Sequence, residues 1–305
     1  MVAFEQLPVL PAWLENILDA SILTTLLYPT LYFWVFRPLT RLVDRHAQME
    51  VELLKHHEHL EELVACHEKE DKLAAYVMSR YLNSSHADPR VEYSIRSTSN
   101  HFSGDAISVA QTPDGGLNVM MVDAMGHGLS AAINSLPAIQ AFYAVSKKGI
   151  PLEALVPEIN DKVRELTPPG HFLASTFLHL DANASRLTGW IGGTPKVCLH
   201  GAGDVQYFSS SNLPLGILPS SHSNFDFFSV PWSDKAMLVT CTDGVLESKG
   251  LDGNDLGENW LCEVIRKYGN SLNKTLFDKA WKESLGDNKP HDDASILIIN
   301  QALNS

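Results

Sequence analysis

Cysteine is scarce. The 305 residues hold four, Cys66, Cys198, Cys241 and Cys262, and no two form a C-x-x-C pair. That scatter excludes a zinc ribbon and a disulfide framework, and a reducing compartment is the simplest setting for the part that carries them. Basic charge is short as well: 23 Lys and Arg stand against 36 Asp and Glu, a formal net charge of -13. A nucleic-acid binder needs a basic face, which this balance does not supply. An acidic chain fits a cation site, and surplus surface carboxylates explain it equally well. There is no internal repeat, no low-complexity segment, and no Ser-His-Asp or Cys-Arg signature that would provide a protein nucleophile. The hydrophobic share of 45% is ordinary for a globular core, and the length suits one large domain, or one domain plus an appendage.

No basic residue precedes the apolar run at residues 17–36, so a cleaved signal peptide lacks its n-region. The run, with SILTTLLYPTLYFWVF at its core, has about the length that spans a bilayer. Tyr32, Phe33, Trp34 and Phe36 sit near its end, and Arg37, Arg41 and Arg45 follow. This pattern predicts a single-pass helix in the inner (cytoplasmic) membrane, with everything after Arg37 in the cytoplasm. Pro29 is tolerable in such a helix. The segment also resembles the last membrane helix of a bacterial sensor protein.

Residues 39–81 carry a seven-residue rhythm through Leu39, Leu42, His46, Met49, Leu53, His56, Leu60, Leu63, His67, Glu70, Ala74, Val77 and Tyr81. The spacing predicts a parallel coiled-coil homodimer. Three histidines and a glutamate on the seam read either as a conformational relay sensitive to pH or as a weak seam that tolerates polar residues. The turn-rich NSSHADPR at 83–90 marks a boundary. The expected division is therefore 1–37, an N-terminal segment with the membrane helix; 38–85, a signalling helix; and 86–305, one large domain.

Beyond the boundary, short β-rich runs alternate with turns at 91–98, 106–111, 117–122, 175–180, 186–191, 197–200, 204–208, 225–230, 236–242 and 294–299. Helical stretches fall at 129–147, 152–166, 259–268 and 271–284. Turn signals such as Asp114-Gly115-Gly116 imply hairpins. Many antiparallel strands with two pairs of helices suggest an α+β fold of two packed sheets with helices outside.

Acidic residues stand where strands meet turns: Asp105 in FSGDA, Asp123 in VDAMGHG, Asp243 in TCTDGV, and Asp292-Asp293 before the last strand. Singly, each reads as a helix cap or a turn residue. Together they suit a hard metal ion, which takes carboxylate and carbonyl oxygens.

The ordered set Gly104-Asp105, Val122-Asp123-Ala124-Met125-Gly126-His127-Gly128, Asn212-Leu213-Pro214-Leu215-Gly216, Thr242-Asp243-Gly244-Val245-Leu246-Glu247 and Asp292-Asp293-Ala294-Ser295 resembles the PPM (PP2C-like) serine/threonine phosphatases. The nearest branch is the bacterial sporulation and stress-response (SpoIIE/RsbU-like) type, which acts in partner-switching pathways. The resemblance covers residues 91–300. It implies an α-β-β-α sandwich with two Mn²⁺ or Mg²⁺ ions between the sheets. Asp105, Asp123 (bridging), the carbonyl of Ala124, Asp243 and Asp292 would be ligands. Asp293 would be a supporting residue or the alternative ligand. Asp123 and Asp243 would be the catalytic pair, through a metal-activated water attacking phosphorus. The implied substrate is a phosphoserine or phosphothreonine on a partner protein, such as an anti-sigma-factor antagonist. His127 replaces the family's usual basic or small residue and either contacts phosphate or faces solvent. Gly192-Gly193 replaces part of an Asn-x-Gly-His-Pro turn, and the phosphate-binding arginine of eukaryotic relatives has no counterpart. Two other readings remain open: a non-catalytic dimeric scaffold, and a metal-dependent hydrolase of a small phosphorylated metabolite.

Overall fold

The structure, a computed structural model, describes residues 11–82, 87–98, 102–201, 204–233 and 235–300. The chain divides into two compact units at Lys69/Glu70.

In the second unit, period-two sorting along the strands builds the core. β3 (Leu117–Ala124) is buried along almost its whole length. Its Val119 and Met121 pack with Val109, Leu178, Leu238 and Leu297. Its Met120 and Val122 face the other way, against Ile139, Phe142, Leu155 and Ile159. A strand covered on both faces reads as a continuous apolar run.

The remaining strands are β1 (Val91–Arg96), β2 (Ala106–Gln111), β4 (Leu173–Leu180), β5 (Arg186–Gly192), β6 (Val197–Gly201), β7 (Asp204–Phe208), β8 (Phe227–Pro231), β9 (Met237–Cys241) and β10 (Ala294–Asn300). One sheet has the order β1-β10-β9-β6-β7 and the other β2-β3-β4-β5-β8, with antiparallel pairing throughout. α3 (Gly128–Ser146) and α4 (Leu152–Leu166) cover the outer face of the second sheet through the cluster that holds Phe142 and Ile159. α6 (Gly257–Tyr268) and α7 (Lys274–Leu285) cover the outer face of the first, where Leu261, Ile265 and Phe277 meet Met237, Val239, Cys241 and Ile298. Each fully buried large apolar side chain in these layers contributes about 1.5–3 kcal/mol. The α+β architecture with two antiparallel sheets is thus the one the sequence led us to expect. α7 begins at a proper cap: the Asn273 side chain accepts the Leu276 N–H at 2.9 Å.

One boundary near the cleft differs from expectation. β3 extends two residues beyond 122, because Asp123 and Ala124 pair with Ala174 and Leu173 of β4. Asp123 therefore lies within the strand, on backbone held by the sheet.

The first unit is helical. α1 (Ala12–Leu31) leads through a π-helical turn (Tyr32–Phe36) into α2 (Arg37–Leu82), which continues into the second unit. The expected membrane helix is corrected here: among the described residues no helix is long and apolar enough to cross a membrane. The apolar run at 17–36 is divided. Its α1 part contains Asp19, Pro29 and the hydroxyls of Ser21, Thr24, Thr25 and Thr30, which donate back to the carbonyls of Ile17, Ala20, Ser21 and Leu26. Its aromatic end forms the separate π turn, next to a proline that has no N–H for the regular ladder. The single-pass placement inferred from this run is therefore not supported. On α2, the seam residues Leu39, Leu42, Met49, Leu53, Leu60 and Leu63 are exposed in the single chain.

Candidate metal centre

The cleft lies where β3 and the start of β2 approach the ends of β9 and β10. Asp105 immediately precedes β2 and is buried. Its Oδ2 accepts a hydrogen bond from Thr242 Oγ1 at 2.9 Å. The same Thr242 oxygen accepts the Ser295 N–H at 2.9 Å, so one buried hydroxyl connects the two sheets at the carboxylate. Asp123, the seventh residue of β3, projects from rigid backbone. Asp243 is the first residue of the short helix α5 (Asp243–Leu246) that follows β9. Asp292 is exposed just ahead of β10 and accepts the Asp293 N–H at 2.8 Å.

Close backbone approach gathers these residues. A Cβ on Gly244 would lie 2.0 Å from the Asp293 carbonyl oxygen, and one on Gly104 would lie 2.9 Å from the carbonyl oxygen of Ala124 and 3.1 Å from that of Gly126. Only glycine lets these backbone segments meet. The Ala124 carbonyl thus faces the segment that delivers Asp105, and the Ala124 N–H bonds the Gly104 carbonyl at 3.3 Å.

Electrostatics report the crowding. Burial first, then the charges of Asp105 and Asp243, push Asp123 up to about 9, and Asp243 also hydrogen-bonds it and Asp292 repels it. Burial likewise pushes Asp105 up to about 7, with the charges of Asp293 and Asp243 adding to it and the hydrogen bond from Thr242 partly offsetting it. Carboxylates buried among like charges bind protons tightly. Among the described residues, no group of three His, Cys, Asp or Glu side chains is arranged to hold a metal ion. The donor set is all oxygen, partly buried, with high proton affinity and backbone carbonyls at the same place, which fits a hard divalent ion.

Asp293 takes its hydrogen bonds from the segment beside this group. It is buried, and its Oδ1 accepts from Thr98 N at 2.7 Å and Thr98 Oγ1 at 2.9 Å, while its Oδ2 accepts from Gly104 N at 2.7 Å. The carboxylate clamps both ends of the segment leading to Asp105. His127 is the exposed residue before α3 and makes no capping bond. Three features of the cleft escaped sequence reasoning. The Thr242 relay and the Asp293 clamp are long-range, with no local signal beyond Thr-Asp-Gly and Asp-Asp. The third is a pair at the rim, where Asn134 Nδ2 meets His171 Nδ1 at 3.0 Å.

Comparison with known proteins agrees with the layout. The SiaA-PP2C domain of Pseudomonas aeruginosa superposes with a TM-score of 0.63 at 18% identity, over 76% of this chain and 96% of that one. The PP2C phosphatase domain of SpoIIE from Bacillus subtilis, with a fragment of its regulatory domain, gives 0.56 at 17% identity over 69% and 61%. RsbX in complex with magnesium gives 0.53 at 13% identity over 70% and 96%. At such identities these likenesses establish the fold. No curated protein sequence matches the chain. The stage II sporulation protein E (SpoIIE) family matches residues 113–301, well over half the chain, and the protein therefore belongs to the SpoIIE family of PP2C-like domains.

Proposed function

We propose that the protein is a Mn²⁺- or Mg²⁺-dependent serine/threonine phosphatase acting on a phosphorylated partner protein. The observation that carries this reading is the convergence on Asp123 of Asp105 from its own sheet and of Asp243 and Asp292 from the other, all three raising its proton affinity. Asp105, Asp123, Asp243, Asp292 and the Ala124 carbonyl would hold two ions. Bound there, such ions supply a water of lowered pKa and neutralise phosphoryl oxygens. Thr242 fixes the Asp105 carboxylate, and Asp293 fixes the backbone that presents it. His127, exposed beside Gly126 and Gly128, would donate to a phosphate oxygen. RsbX, of the same fold, is described with magnesium, which supports the choice of ion. An anti-sigma-factor antagonist is the substrate class that the family suggests.

The division 1–37, 38–85 and 86–305 belongs to this proposal, with 39–81 as a dimerising helix. Ala74 near the end of α2 packs with Phe102, Leu129, Ala132 and Leu136. Phe102 is three residues from Asp105, and Leu129 opens α3 just after the catalytic turn. Movement of this part of α2 would therefore be felt at the metal ligands.

The test is hydrolysis of 4-nitrophenyl phosphate by the full chain with Mn²⁺ titrated, beside Asp243→Asn. Turnover that rises with Mn²⁺ and collapses in the variant supports the enzyme. No turnover in a folded, dimeric wild type leaves the scaffold reading.

A further inference from the structure

The segments that frame the second-sheet side of the cleft, 124–146, 166–180 and 209–225, contain no Asp, Glu, Lys or Arg, in a chain that carries 59 such residues (23 basic and 36 acidic). They meet at one edge. Ala174 pairs with Asp123, Leu173 bridges Leu215, and Gly192 bridges Asn212. Large apolar side chains stand out from this uncharged rim: Met125 is 49% exposed, Leu166 59%, Leu213 54%, and Ile217 and Leu218 40% each.

The rim is also held rigid. Asn160, buried in α4, accepts the Gly216 N–H at 2.9 Å and donates to the Leu218 carbonyl and to Ser220 Oγ, both at 3.0 Å. Asn212 donates to the Ile191 carbonyl at 2.9 Å and accepts the Asp226 N–H at 2.7 Å. Residues 213–218 are therefore pinned at both ends and in the middle, where Leu215 is buried in the core, while Leu213, Ile217 and Leu218 are left exposed at low cost in conformational entropy.

We propose that this uncharged rim, through Met125, Leu166, Leu213, Ile217 and Leu218, is the docking surface for an apolar protein face flanking the phosphorylated residue of the substrate. The inference rests on the phosphatase reading and narrows its substrate. Whatever carries a phosphate to Asp123 and Asp243 must lie over this edge. A small polyanionic metabolite would need cations there, and the rim has none; an apolar, neutral protein surface is its complement.

The test uses the full chain with Mn²⁺ and two phosphoserine peptides, identical except that leucines or glutamates flank the phosphoserine, with 4-nitrophenyl phosphate as a small reference. The wild type should prefer the leucine peptide by about tenfold in kcat/KM. In Leu213→Ser/Leu218→Ser the ratio of leucine-peptide to ester kcat/KM should fall by about the same factor, through KM. Both positions are exposed, so the fold should survive, and thermal melting checks it. Equal use of both peptides by the wild type, or an undiminished preference in the variant, overturns the proposal. Fluorescence anisotropy with the labelled peptides separates this failure from failure of the enzyme reading. A wild type that binds the leucine peptide tighter than the variant does, yet hydrolyses nothing, keeps the docking surface and loses the phosphatase. Equal binding by the two proteins overturns the surface.

Discussion

Replacing Asp293 by Asn is the most informative single change. The carboxylate accepts three hydrogen bonds, two at Oδ1 from Thr98 and one at Oδ2 from the Gly104 N–H. An amide retains one accepting oxygen. If it keeps the Thr98 pair, its NH₂ faces the buried Gly104 N–H, which loses its partner; that costs about 1.5–3 kcal/mol. The Thr98 bonds weaken as the charge is removed, by about another 1 kcal/mol. A total of about 3 kcal/mol corresponds to a fall in Tm of about 6–12 °C for a domain of this size. Because the loosened segment leads directly to Asp105, the Mn²⁺ concentration for half-maximal activity should rise by about tenfold, the equivalent of about 1.4 kcal/mol. Differential scanning fluorimetry and Mn²⁺ titration of 4-nitrophenyl phosphate turnover read both quantities. An unchanged Tm with an unchanged Mn²⁺ requirement would refute the clamp. Complete loss of Mn²⁺ binding at unchanged Tm would make Asp293 the ligand in place of Asp292.

Gly244→Ala should cost about 3 kcal/mol and abolish Mn²⁺-dependent turnover, because the new Cβ would lie 2.0 Å from the Asp293 carbonyl oxygen; urea denaturation and the ester assay check it. Asp123 and Asp105 are held near 9 and 7 when folded, against 3.8 as their ordinary value. Raised values mean that the folded chain binds these protons more tightly than the unfolded chain, so metal-free stability is greatest at low pH and declines as pH rises from about 4 through about 9. Thermal melts in EDTA should show that decline, and Mn²⁺ should raise Tm more at pH 8 than at pH 5.5; a metal-free Tm that rises over this range contradicts the buried cluster. Cys66 is exposed, whereas burial pushes the Cys198 thiol up to about 12 and raises that of the fully buried Cys241. Iodoacetamide at pH 8 should therefore label Cys66 and spare Cys198 and Cys241 until denaturant is added, as read by peptide mass spectrometry.

Much of the fold was legible because local signals and burial agree. α4 occupies 152–166 as expected, with Pro151 before it, Glu153 in its first turn, Arg164 in its last and a buried stripe from Leu152 to Val163. The strands were readable as short apolar runs between turns, and the acidic residues at their ends could be singled out as candidates. What stayed hidden depends on contacts distant in sequence. Asp292 and Asp293 are chemically identical neighbours, and only the partners across the sheet, Thr98 and Gly104, show which one turns inward. Asn160 looks like a solvated helix residue until the loop at 216–220 is seen to fold onto it. The membrane reading is not supported because the run at 17–36 reads as apolar by its overall composition, while its α1 part carries Asp19, Pro29 and the hydroxyls of Ser21, Thr24, Thr25 and Thr30, and among the described residues no helix is long and apolar enough to cross a membrane.

The insertion of β10 between β1 and β9 has a consequence for how the protein comes into being. A ribosome delivers Asp105 and Asp123 early and Asp292 late, and the strand that follows Asp292 must enter the middle of a sheet whose other members have already been made. No intermediate of synthesis that lacks this strand can hold all four carboxylates in place, and none should hydrolyse phosphate. Activity is therefore withheld from the nascent chain until β10, translated after the other nine strands, has entered between β1 and β9.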